Sequence, residues 1–159
     1  MSIKVICVGK IKKDYLKEGI TDYLKMLQPY MKTEIIEVLD SSVSINPSQS
    51  EIEKVKNQEG MRVLKFIKDN DFVINLDLNK KELDSIEFAN FIDKKLTSGH
   101  SNLTFIIGGS YGLSDELKNR ANDSISLSKM TFLHQMTRLI LLEQIYRAFK
   151  ILNNETYHK

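Results

Sequence analysis

Short β-branched runs separated by amphipathic helical stretches constrain this chain more than any other feature. Ile3 to Val8 (IKVICV) closes on Gly9, as a strand buried on both faces should. From about Lys12 to Leu27, the residues Tyr15, Leu16, Ile20, Tyr23, Leu24 and Leu27 recur at spacings of one, three and four, which builds one apolar helical stripe. Thr33 to Leu39 is a second strand-like run, and about Glu51 to Lys68 a helix for which Ser48 or Ser50 is the cap. Phe72 to Leu78 is strand-like, about Ser85 to Leu96 is helical, and Leu103 to Ile107 (LTFII) is an uninterrupted apolar strand. This alternation predicts an α/β fold, a largely parallel sheet with helices on both faces. Asp40 to Ser50 holds five serines, Asn46 and Pro47, and predicts a mobile surface loop. No internal repeat and no shift of composition divides residues 1–159, so one domain is expected.

Composition then removes several function classes. With 42% hydrophobic residues, two Pro and seven Gly, the chain is neither disordered nor low-complexity. No apolar run approaches the ~20 residues of a membrane span, and MSIKVICVGK lacks a signal-peptide core, so a soluble cytosolic protein is expected. A single cysteine, Cys7, cannot build a disulfide framework, and it sits in an apolar strand as a core residue would. His100, His134 and His158 are scattered, so no metal site is expected. The 23 Lys+Arg nearly balance 21 Asp+Glu, so binding to nucleic acid would need local basic patches.

The C-terminal third breaks the alternation. Gly108-Gly109-x-x-Gly112 directly follows an apolar strand, at the edge where open parallel sheets bind ligands. Glycines there let backbone approach a ligand, although the same residues equally suit a tight strand-to-helix turn. It is not G-x-G-x-x-G, the exit of the first strand lacks that fingerprint too, and no G-x-x-x-x-G-K-[ST] occurs. A nicotinamide enzyme and a P-loop NTPase are therefore disfavoured. A short polar helix near Asp115 to Ala121, the stretch Ser124 to Met130, and a long helix from about Leu133 to Leu152 follow.

That last helix carries the strongest chemical signal. Taking His134 as zero, Arg138 falls at about 40° and Gln135 at about 100°, among Ile145, Phe149 and Leu142 at about 20° to 80°. Polar groups on the greasiest stripe require buried partners or a ligand, or else they cap the first turn and reach solvent. Met136, Ile140 and Ile151 make part of the opposite side apolar, as if the helix were covered twice, the second time by another subunit. Glu143 and Arg147, spaced i,i+4, read as an ion pair. Lys10, Lys12 and Lys13 suit a solvated helix start or a phosphate contact. From Lys129 to Lys159, five Lys/Arg against two Glu hint at an anionic partner.

Taken in order, Phe105-Ile106-Ile107-Gly108-Gly109-x-x-Gly112-Leu113, Leu127-Ser128-Lys129-Met130-Thr131-x-x-His134-Gln135-x-x-Arg138, Glu143-Gln144-x-Tyr146-Arg147-Ala148 and the terminal Tyr157-His158-Lys159 form one series. This series closely resembles the bacterial 23S rRNA pseudouridine-N3 methyltransferases of the SPOUT (α/β-knot) superfamily, over essentially the whole chain. The resemblance implies a parallel-sheet domain whose C-terminal segment threads a loop into a trefoil knot, a homodimer, and S-adenosylmethionine (SAM) as methyl donor without a metal. Carried over by motif, the donor pocket involves Leu76, Gly108, Leu127, Ser128, Lys129, Met130, Thr131 and Phe132. Tyr157 and His158 would approach the target nucleotide across the dimer, with Arg138 helping to orient the base and His158 as leading candidate for proton removal. Leu133, where relatives commonly carry proline, and Asn153-Asn154, where a glycine is frequent, depart from the pattern.

Methyl transfer asks chiefly for alignment of nucleophile, carbon and sulfur, which supplies ~7–11 kcal/mol of barrier reduction. The modest positive charge of the C-terminal third leads us to expect a large, shaped target rather than a short oligonucleotide, and the resemblance implies that this target is the assembled ribosome. Two alternatives stand beside this reading: a non-catalytic ribosome-binding or assembly factor, and a SPOUT methyltransferase for another RNA nucleotide.

Overall fold

A computed structural model describes residues 1–159. Ten elements alternate through the whole chain, including the C-terminal third, where the alternation was expected to break and no strand was foreseen: β1 (Ser2–Val8), α1 (Asp14–Leu27), β2 (Lys32–Val38), α2 (Gln49–Leu64), β3 (Phe72–Glu82), α3 (Ser85–Thr97), β4 (Asn102–Ile107), α4 (Asp115–Arg120), β5 (Asp123–Ser126) and α5 (His134–Leu152). The strands form one sheet in the order β2-β1-β4-β3-β5, and every pair is parallel. The three central strands are the three runs whose sequence is apolar on both faces, because only they are covered on both faces.

The two-residue period of the strands divides the core. Ile3, Val5 and Cys7 of β1, with Leu103, Phe105 and Ile107 of β4, point into a large cluster beneath α1, α3 and α5. Ile6, Val8 and Ile106 point the other way, against Val63 of α2 and Leu117 of α4. Cys7 is fully buried, and burial pushes its thiol up to about 12. α5 packs between α1 and α3, with Leu142, Ile145 and Phe149 buried, so the apolar stripe of its sequence faces the sheet.

Local capping sets where the helices begin. The Ser48 hydroxyl accepts from Glu51 N (3.1 Å), which starts α2 at Gln49 rather than Glu51. Asp84 and Glu87 form a reciprocal capping box at the start of α3. The serine-rich segment expected to be mobile is tied at several points. Ser44 donates to Glu51 through its amide (2.8 Å) and hydroxyl (2.9 Å), and Arg62 donates to the Leu39 carbonyl (2.9 Å) and the Ser41 hydroxyl (2.8 Å). β3 also runs past its expected end at Leu78. Leu76 and Lys81 both pair with Ile125, so the four residues between them bulge out beside the ends of the strands.

Candidate active site

Three strand exits converge on one edge of the sheet. After β4 the chain reverses at once: Gly112 N donates to the Gly109 carbonyl (3.0 Å), and Gly112 takes φ +87°. A Cβ on Gly108 would stand 3.0 Å from the Gly112 carbonyl carbon and 3.0 Å from Leu113 Cδ2, so only glycine lets the turn fold back on its own strand. Both readings of the GGxxG run therefore hold: it is a tight turn, and it forms a cleft wall.

The opposite wall is the β5–α5 connection. Ser126 donates to the Ser128 carbonyl (2.8 Å), and Met130 N donates to the Ser128 hydroxyl (2.9 Å), which orders the segment ahead of α5. Between these walls and the β3 bulge lies an open cleft of about 680 Å³. That is within the range of small-molecule sites. Of the residues that the resemblance assigned to a donor pocket, Leu76, Gly108, Leu127, Ser128, Met130, Thr131 and Phe132 line this cleft; Lys129 does not, and it is exposed. His134 also lines it, and burial followed by the Arg138 guanidinium holds its imidazole below the ordinary histidine value. Asp77 and Tyr111, which the sequence reading missed, complete the rim; their only signal was adjacency to Leu76 and Gly112.

Arg138 stands behind the cleft rather than in it. Its side chain is 0% exposed, and it donates to Glu37 (2.6 Å) and to the carbonyls of Val8 (2.9 Å) and Gly9 (2.8 Å). The buried partners demanded by its place on the apolar stripe are thus Glu37 and the end of β1. A guanidinium enclosed in this way positions the backbone at the end of β1, and Arg138, from which a base-orienting role was expected, is not among the residues that line the cleft. Gln135 accepts from Lys12 N (3.0 Å), so it too serves the β1–α1 loop.

Tyr157 and His158 are not brought to the cleft of their own chain. The Tyr157 ring packs edge-on against Tyr146 (5.0 Å between centroids), its hydroxyl donates to Glu143 (3.2 Å), and the Arg147 guanidinium lies over its face (4.7 Å). His158 Nδ1 is 3.3 Å from Arg147 Nη1. Glu143 and Arg147 form the expected ion pair, and it seats the tail. No group of three or more His, Cys, Asp or Glu side chains is close enough to hold a metal ion, and no helix is long and apolar enough to cross a membrane.

Comparison with known proteins covers the whole chain. The family model described as "Predicted SPOUT methyltransferase" matches residues 1–158. The chain belongs to the SPOUT methyltransferase family. Full-length relatives of this SPOUT methyltransferase carry the name "Ribosomal RNA large subunit methyltransferase H". The protein from Carboxydothermus hydrogenoformans is 55% identical over 159 residues, covering 100% of both chains. Those from Clostridium tetani and Enterococcus faecalis are 52% and 50% identical over the same full span. Among solved structures, a probable methylase family protein from Haemophilus influenzae superposes with a TM-score of 0.52 at 13% identity, covering 99% of this chain and 70% of that one. At that identity the likeness concerns the fold alone.

Proposed function

We propose that this chain, acting as one domain, is a SAM-dependent methyltransferase that modifies N3 of a pseudouridine in 23S rRNA. The observation that carries the reading is the glycine-walled cleft at the carboxyl edge of the sheet, in a chain 55% identical over its full length to a protein named for ribosomal RNA methylation. We further propose that it works in the cytoplasm on the assembled ribosome as a homodimer, its C-terminal segment threaded as a trefoil knot.

The cleft suits the donor on chemical grounds. Leu76, Leu113, Leu127 and Phe132 offer apolar surface for an adenine ring, while Gly108, Gly109 and Gly112 of the turn and the serines Ser126 and Ser128 supply polar groups along the same lining. Leu76, Gly108, Leu127, Ser128, Met130, Thr131 and Phe132 would hold it, and Lys129 would contribute only backbone. SAM supplies a methyl group on a sulfonium, a good leaving group, so little covalent help is asked of the protein. The chain's own work is to exclude water, to align the acceptor nitrogen with the methyl carbon, and to accept the proton that N3 releases.

His158 is the residue we assign to that proton, with Tyr157 positioning the base. Both lie on the outer side of α5 in their own chain, held by Glu143 and Arg147, so the reading requires the tail to serve the partner subunit's cleft. Mass spectrometry of 23S rRNA from a deletion strain tests the substrate: loss of one methyl group from one pseudouridine is expected, and an unchanged modification pattern overturns the proposal. Single-turnover methylation by His158→Ala tests the base, and a normal rate excludes it.

A further inference from the structure

Lys10, Lys12 and Lys13 follow β1 at the same sheet edge as the cleft. All three are exposed, and none has a carboxylate within ion-pair distance. Three like charges in four residues repel one another, and a loop that merely kept them hydrated would need no fixed backbone. This backbone is held at three of its amides. Gly9 N donates to the Val38 carbonyl (2.7 Å), Ile11 N to Glu37 (2.7 Å) and Lys12 N to Gln135 (3.0 Å). Arg138 donates to the carbonyls of Val8 and Gly9, at the expense of burying a guanidinium whose Nε has no partner. Glu37, an acid on β2, turns its Oε2 to Arg138 and the Ile11 amide, and it forms no ion pair with the lysines.

The pedestal adjoins the cleft. A Cβ on Gly109 would lie 3.1 Å from Val8 Cγ1, and one on Gly9 would lie 3.6 Å from the cleft residue His134. Lys12 is also close enough to help hold the His134 imidazole below its ordinary value. Asp40 and Asp14 are the acids nearby; Asp14 is engaged with Lys17, and Asp40 packs toward Gly9 and His134.

We infer that the Lys10–Lys13 turn is a preorganised phosphate-binding edge that docks the RNA backbone beside the cleft, held in place by Gln135 and Arg138 of α5. The inference rests on the rRNA-methyltransferase reading and names a contact surface for its substrate. Phosphate contacts fix register without reading sequence, which is what a cleft needing one nucleotide in one orientation requires. A rigid basic turn also loses less conformational entropy on binding than three flexible lysines would.

The test is the triple variant Lys10→Gln/Lys12→Gln/Lys13→Gln, compared with Lys32→Gln/Lys65→Gln/Lys68→Gln, which removes equal charge at the opposite edge of the sheet. The substrate is large ribosomal subunits from a strain lacking the modification, with salt varied. The first variant should raise KM about tenfold with kcat kept, and flatten the plot of log(kcat/KM) against log salt by about 2, since each phosphate contact contributes a slope of roughly 0.7–0.9. SAM affinity by calorimetry should not move. Gln135→Ala, which keeps every charge but frees Lys12 N, should also raise KM. A KM and salt slope equal to those of the opposite-edge variant would overturn the proposal, and a Gln135→Ala enzyme with normal KM would overturn the preorganisation. If the wild-type chain transfers no methyl group, the function proposed above fails; retention of the same subunits on filters still reads the contribution of the lysines.

Discussion

Gly108→Ala tests how the cleft is built. Gly108 is not among the residues with positive φ, so alanine is allowed there by its backbone, and the effect is one of space. The new methyl would meet the Gly112 carbonyl carbon at 3.0 Å, its oxygen at 3.1 Å and Leu113 Cδ2 at 3.0 Å. Two of these atoms are backbone of a turn held by the Gly112–Gly109 hydrogen bond, so the turn itself must shift by a few tenths of an ångström. Overpacking of this kind costs about 1–3 kcal/mol. Against it, alanine restricts the unfolded chain and returns about 0.4–1 kcal/mol. The expected net loss is about 1–2 kcal/mol, from these two terms, read as a lower urea midpoint at unchanged m-value. Because the displaced turn is a cleft wall, the affinity for S-adenosylhomocysteine should fall by more than stability alone implies, at least about tenfold by calorimetry if ~1.4 kcal/mol of fit is lost. Gly112→Ala provides the contrast: nothing lies within 4 Å of its Cβ, but φ is +87°, so it should lose about 1–2 kcal/mol of stability through strain. A Gly108→Ala protein as stable as the wild type, binding the ligand with the same Kd, would refute the role of the turn.

Two other substitutions probe the supports of the site. Burial raises the Glu59 carboxyl above its ordinary value of 4.5. A raised folded value means its contribution is complete at acid pH and is lost as pH climbs through the folded value. Glu59→Gln keeps an acceptor for Ser41 N and removes the titration, so the wild-type urea midpoint should decline relative to the variant from about pH 4.5 toward neutrality. Parallel pH profiles would contradict this. Arg138→Met strips the Val8 and Gly9 carbonyls and Glu37 of their donor; breaking a buried pair costs about 3–5 kcal/mol, and release of the desolvated guanidinium offsets part, leaving about 2–3 kcal/mol lost in urea unfolding. An unchanged midpoint would show that the clamp is not structural.

Much of the fold was legible because its signals are local. The apolar runs of β1, β3 and β4 announce strands covered on both faces, and Ser48 marks the start of α2 through a hydrogen bond to a neighbour three residues away; the Asp84–Glu87 capping box of α3 is as local but came from the structure. The cleft was partly legible for the same reason: a glycine run after an apolar strand marks the sheet edge as a place for a tight turn or a close ligand approach. Arg138 was flagged by its place on an apolar stripe, yet its partner Glu37 lies 101 residues earlier and carries no sign of the pairing in its own neighbourhood. The serine-rich segment read as mobile because composition reports what a loop is made of and not what it is tied to.

Sequence alone thus determined the alternation of elements as far as β4, the faces they bury and the place of the glycine run, since each follows from the period and chemistry of adjacent residues. Only the tertiary structure decided that α5 clamps the lysine turn through Arg138 and Gln135, and that the tail rests on Glu143 and Arg147 away from its own cleft. Strand order brings β1 beside β4 across 100 residues of chain, and it is this juxtaposition that assembles the edge on which the site stands.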